Sequence, residues 1–200
     1  MSIFDGMRKP PLTLIPIFAA LFLQGQEPMP DNPATLVQQG ANQKEALRIS
    51  DSIYQAIGFG NTFMVTTSAG NVIIDTSSPG PAQRHLKLLK AVNSGPVNYI
   101  ILTHGHGDHT GGVSLWKEPG TQIIAQKNHT EFVNYQKRLG DFFVTRNAAQ
   151  FGADMTAARR AAANQRALIE PTILFDDKYQ FTLGGVRFEI YRTPVRRPIT

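Results

Sequence analysis

Apolar and polar positions alternate from Ala46 to Ile57 and again from Thr62 to Thr76, a period-two pattern that predicts half-buried strands. Gly58-Phe59-Gly60 and Ser68-Ala69-Gly70 interrupt the alternation and read as turns. From Pro81 to Val92 the period lengthens, and Leu86, Leu88, Leu89 and Val92 give an amphipathic helix an apolar side to lay on a sheet. His85 stands on this helix among charged neighbours and is expected to be exposed. Val97 to Leu102 is a short apolar run of the kind found in buried strands. Val113 to Trp116 follows as a short helix, Gln122 to Ala125 as a strand and Asn128 to Leu139 as a helix. Met155 to Leu168, rich in Ala and Arg, is a further strong helix former. Lys178–Leu183 and Val186–Arg192 alternate around Gly184-Gly185 and predict a hairpin. An antiparallel start followed by strands alternating with helices implies an α+β sandwich of sheets covered by helices.

The ends of the chain have a different texture. Arg8 and Lys9 precede an apolar stretch from Leu12 to Leu23 that is too short to cross a bilayer. Residues 1–25 are therefore read as an export signal, with an apolar helix docked on the domain as the alternative. That reading places the protein in the periplasm or outside the cell, and the alternative in the cytoplasm. Residues 26–44, with Pro28, Pro30 and Pro33, read as a linker, and the folded domain as 45–200.

Composition narrows the chemistry. The chain of 200 residues has no cysteine, so any metal is held by nitrogen and oxygen. The net charge of +5 is spread along the sequence, and no dense basic tract or RNA-binding motif points to nucleic acid. A moderate positive charge suits a small, anionic substrate.

The candidate chemistry is concentrated in one place. His104-Gly105-His106-Gly107-Asp108-His109 gathers three of the five histidines and a carboxylate into six positions directly after the apolar run. Imidazole and carboxylate are ligands for a borderline divalent ion such as zinc. In extended backbone His104 and His106 share a face, whereas Asp108 and His109 need a turn to converge, which Gly105 and Gly107 permit. The expectation is two ligand pairs on one loop, His104 with His106 and Asp108 with His109. The glycines exclude a helical zinc-protease site. His129, at the start of a predicted helix, is expected to cap or lie on the surface and is given no place in the site.

These residues resemble the metallo-β-lactamase superfamily, whose first signature is H-x-H-x-D-H after a strand. Residues 49–195 resemble the first half or more of such a domain. Asn61–Val65 and Gly70–Thr76 look like the opening hairpin. The resemblance implies an incomplete αββα sandwich and two zinc ions held by His104, His106, Asp108 and His109. It also implies Asp108 as the catalytic residue that orients a zinc-activated hydroxide, and Asp75 as a support for the metal loop (a strand-end turn residue is the plainer reading). The reaction implied is hydrolysis of an ester-type substrate: a sulfate ester, lactone, thioester or β-lactam. Arg146 to Gly152 is similar to an Arg-rich segment of alkylsulfatase-like members, which would set Arg146, Arg159, Arg160 and Arg166 near an anion, although for each Arg taken singly a solvated helical face is the plainer reading. In the superfamily the last hairpin leads into Thr-Pro-Gly, but here Thr193-Pro194 runs into Val195-Arg196-Arg197. The expectation is a chain truncated, or out of frame, after Pro194. An inactive metal-binding fragment is thus the alternative to an active hydrolase.

Overall fold

The computed structural model describes residue 35, residues 38–151 and residues 169–193. Nine strands and five helices lie among them. In chain order they are β1 (Leu47–Arg48), β2 (Ile53–Ala56), β3 (Thr62–Thr67), β4 (Gly70–Ile74), α1 (Pro79–Val92) and β5 (Val97–Ile101). Then come α2 (Gly107–Thr110), α3 (Val113–Trp116), β6 (Gln122–Gln126), α4 (His129–Arg138) and α5 (Gly140–Phe151). β7 (Ile173–Phe175), β8 (Lys178–Leu183) and β9 (Val186–Tyr191) complete the set. The leader, most of the linker, the predicted helix 155–168 and the segment after residue 193 lie outside the described residues.

The first seven strands form one mixed sheet in sequential order. β1 to β4 pair antiparallel, through hairpins, while β4 to β7 pair parallel, through helical crossovers. This topology positions the site. The carboxyl ends of β4, β5 and β6 fall on one edge, and the antiparallel partner β3 brings the β2–β3 turn to the same edge, with Phe63 opposite Ile74. Residues following parallel strands therefore converge there.

Each face of the sheet has its own core. On one face Met64, Ile73, Ile100 and Ile123 meet Leu88 and Leu89 of α1 and Val113 and Trp116 of α3. On the other, Val65, Val72, Ile101 and Ile124 meet Tyr179, Phe181, Leu183, Phe188 and Ile190 of the β8–β9 hairpin. The strict alternation of that hairpin gives it one apolar side, which packs on the first sheet as the start of a second. Helix, sheet and second sheet are three layers of the expected sandwich.

The structure corrects several sequence expectations. The strand expected from Ala46 to Ile57 is a hairpin, because Ile49 and Ser50 N–H both turn back to the carbonyl of Ile53 and Arg48 pairs with Asp51 across the bend. α1 begins two residues earlier than expected, at Pro79, where a proline's missing N–H costs nothing. His85 is fully buried, not exposed, since it shares the inward face of α1 with Ala82 and Leu89 at helical spacing. His129 is also buried, and Asn128 takes the N-cap position.

Candidate metal centre

Asp75 directly follows β4 in a left-handed conformation, with φ at 54°, and Ser77 adopts one at 64°. Non-glycine residues are uncommon there and are held by their surroundings. Here the strained turn is laced to the His-rich loop. Thr76 N–H donates to the carbonyl of His109 at 2.7 Å, Thr76 Oγ1 donates to the same carbonyl at 3.0 Å, and Gly111 N–H donates to Ser77. Gly112 lies where a Cβ would collide with the Thr76 carbonyl, so the two segments touch backbone to backbone.

The Asp75 carboxylate organises the loop from beneath. It accepts hydrogen bonds from Thr103 N–H (2.9 Å), Thr103 Oγ1 (2.7 Å) and His109 Nδ1 (2.7 Å). The Thr103 hydroxyl has given its one proton to Asp75, so in the 3.0 Å contact with His104 Nδ1 it is the acceptor. Both His104 and His109 therefore carry a proton on Nδ1, which leaves Nε2 of each as the nitrogen available to a metal ion. Fixing a ring tautomer through the far nitrogen is how protein metal sites orient imidazole.

The four expected ligands stand together. The ring of His104 lies 4.0 Å from that of His109 and 4.8 Å from that of His106. His109 Nε2 and Asp108 Oδ2 are 3.3 Å apart. Asp108 and His109, expected on a loop, stand on the one-turn helix α2, which Gly107 opens rather than prevents, and His104 sits nearer to His109 than to its expected partner His106. Asp75, His104 and His109 each offer a ligand atom within 4.8 Å of the others. Asp75, however, is buried and its two oxygens already accept three hydrogen bonds, so it supports the loop in the way the family resemblance implied.

The charges around His109 call for a cation. Burial alone would lower its pKa, but hydrogen bonds to Asp108 and Asp75, and their charges, raise it to about 9. Burial pushes the Asp108 carboxyl up and the contact with His109 more than reverses that, holding it below the usual range. His104 is lowered by burial and by the neighbouring His109 and His106. A proton between His109 and Asp108 satisfies the pair, and so does a metal ion. The donor set of imidazole and carboxylate, with Nδ1 protons parked on acceptors, fits a zinc-type ion.

Sequence reading missed Thr103 and Thr76, which flank the hexad and Asp75; each is a hydroxyl placed next to a candidate charged group. Phe132 of α4 edges against His106 with ring centroids 5.0 Å apart, and a Cβ on Gly105 would come within 2.6 Å of the Phe132 ring. On α5, Arg146 lies over the ring of Phe143 at 5.4 Å, while Arg159, Arg160 and Arg166 lie outside the described residues.

The metallo-β-lactamase superfamily model matches residues 56–195, and the chain belongs to that superfamily. Within it, the sequence is similar to alkylsulfatases. It is 31% identical to the alkyl/aryl-sulfatase BDS1 of Saccharomyces cerevisiae, over 82% of this chain and 29% of that protein. It is 27% identical to a linear primary-alkylsulfatase of Pseudomonas sp., over 68% of this chain and 29% of the relative. The stereoselective inverting sec-alkylsulfatase Pisa1 from Pseudomonas sp. shares the fold at a TM-score of 0.59 and 18% identity, over 74% of this chain and 27% of that one. The chain thus spans about three-tenths of the length of these relatives. Among the described residues no helix is long and apolar enough to cross a membrane.

Proposed function

We propose that the chain carries the metal-binding part of a hydrolase that cleaves small, anionic esters, with sulfate esters as the first class. The observation that carries this reading is the anchoring of His104 and His109 through Nδ1 by Thr103 and Asp75, with the Asp108 carboxylate 3.3 Å from His109 Nε2. The named activities of the relatives favour sulfate over lactone, thioester or β-lactam substrates.

In this proposal His104 and His106 hold one divalent ion and Asp108 and His109 a second, with zinc as the metal that suits the donors. When bound, such ions lower the pKa of water to roughly 7 and polarise the bond to be cleaved. The chain's own residues do the rest. Asp108 accepts a hydrogen bond from the attacking water and orients it, acting as the catalytic residue. Asp75 and Thr103 keep the imidazoles in the tautomer that presents Nε2. Phe132 walls the loop on the α4 side and limits the freedom of His106.

The test is turnover on a panel of sulfate, phosphate, lactone and thioester esters with zinc or manganese supplied. Hydrolysis of a sulfate ester that disappears in His106→Ala supports the reading. Metal uptake without turnover on any ester supports instead a metal-binding domain lacking catalysis.

A further inference from the structure

The β2–β3 turn, Ile57 to Asn61, lies between a buried histidine and the metal loop. His85 is fully buried on α1, and both ring nitrogens are engaged. The Ile57 carbonyl, 3.1 Å from Nε2, can only accept, so Nε2 carries the proton. Nδ1 of the neutral ring then accepts from Thr62 Oγ1 at 3.0 Å. One imidazole thus ties the first residue of the turn to the first residue of β3. Arg84 Nη2 adds a second hydrogen bond to the Ile57 carbonyl at 2.9 Å, and Gln43 Oε1 accepts from Ile57 N–H at 2.7 Å.

The turn has no slack on either side. A Cβ on Gly58 would lie 2.8 Å from His85 Nε2, and a Cβ on Gly60 would collide with the Asp108 carbonyl. Gly58 and Gly60 are both buried. Gly58 N–H donates to Asn61 Oδ1 at 3.0 Å, which closes the turn on itself. The chain of contact runs from the His85 ring through Gly58 and Gly60 to the main chain of Asp108.

We propose that His85 is a positioning residue for the metal centre, acting through the Ile57–Asn61 turn to seat Asp108 beside His109. The proposal rests on the reading above that Asp108 and His109 hold a metal ion. The hydrogen bonds of the His85 ring go to Ile57 and Thr62. Its effect is to fix how far the turn stands from Asp108, and hence the separation of Asp108 Oδ2 from His109 Nε2. Loss of the ring frees the turn to retreat toward the cavity it leaves, and Asp108 loses its backstop.

The experiment measures Zn²⁺ affinity of the full chain by competition with a chromogenic chelator, at a temperature where every variant is folded. His85→Leu, which removes both hydrogen bonds, is expected to weaken zinc binding about 10-fold, the low end of the effect of removing a group bonded directly to a metal ligand. His85→Gln retains a donor toward Ile57 and is expected to recover most of that loss. Gly60→Ala, which leaves His85 intact but pushes on Asp108, is expected to weaken binding to a similar degree. It also keeps the test open if His85→Leu does not fold. Leu89→Ala, one helical turn from His85 on the same inward face of α1, destabilises the core while leaving both His85 hydrogen bonds in place and should leave zinc affinity unchanged. Folded His85→Leu and Gly60→Ala with wild-type zinc affinity overturn the proposal while the metal centre stands. So does a loss in Leu89→Ala as large as that in His85→Leu. A wild-type chain that takes up no zinc overturns the metal centre, and this proposal with it.

Discussion

Acidification should destabilise the fold through His85. Burial, and then the charge of Arg84, lower its pKa from 6.5 to about 4, against a smaller opposing effect of the hydrogen bond to Ile57. The folded protein therefore resists protonation at a site that the unfolded chain protonates freely near 6.5. Above that pH both states are neutral and His85 contributes no pH dependence. As pH falls below it, the unfolded state takes up a proton that the folded state refuses, and stability declines. At pH 5 the difference amounts to about 2 kcal/mol, and it levels off near 3 kcal/mol below pH 4, since a tenfold change in proton affinity is worth about 1.4 kcal/mol. Such losses matter against a total stability of roughly 5–15 kcal/mol for a typical domain. Urea unfolding at intervals between pH 7.5 and pH 4.5 measures the decline. His104 and His129 are also lowered, the first chiefly and the second wholly by burial, and add to the acid limb. The informative quantity is therefore the difference between wild type and His85→Gln, which lacks the titrating ring. That difference should narrow by about 2 kcal/mol between pH 7 and pH 5. Parallel curves for the two proteins would refute the claim that a buried neutral imidazole is held between Ile57 and Thr62.

Two further substitutions probe the support beneath the metal loop. Asp75→Ala removes the acceptor of three hydrogen bonds and leaves Thr103 and His109 donors unpaired, at a cost on the order of 3 kcal/mol or more. A urea-derived stability that falls by less than about 1 kcal/mol would show that the carboxylate does not organise the loop. Gly112→Ala forces a methyl group against the Thr76 carbonyl and Ala82, and should cost about 1–3 kcal/mol with a matching fall in Tm. An unchanged Tm would mean that the Thr76 turn and the loop are not in close contact.

What the sequence disclosed depended on how local the cause was. The hexad was legible because its residue types and glycine spacing carry chemistry irrespective of context. The β8–β9 hairpin was legible because its alternation is unbroken around Gly184-Gly185. β7 went unseen because three residues are too few to show a period, and its place is set by pairing with β6. The bend between β1 and β2 was hidden in an alternating run, since the Arg48–Asp51 pair and the carbonyl of Ile53 create it. His85 was misread because Arg84 and Lys87 dominate its neighbourhood, although its spacing from Ala82 and Leu89 marks the inward face. The bracing of His104 and His109 by Asp75 joins residues about thirty positions apart, a separation that only the parallel pairing of β4 and β5 closes.

Metal content after reconstitution bears most directly on the central claim, that imidazole and carboxylate on this loop grip divalent ions. The full chain, incubated with excess zinc or manganese and freed of loose ions by gel filtration, is analysed by mass spectrometry for metal per chain. Near-stoichiometric metal that a strong chelator strips, and that falls sharply in both His104→Ala and Asp108→Ala, is the predicted result. A folded wild-type chain that emerges with no metal, or with the same amount as the two variants, would contradict it.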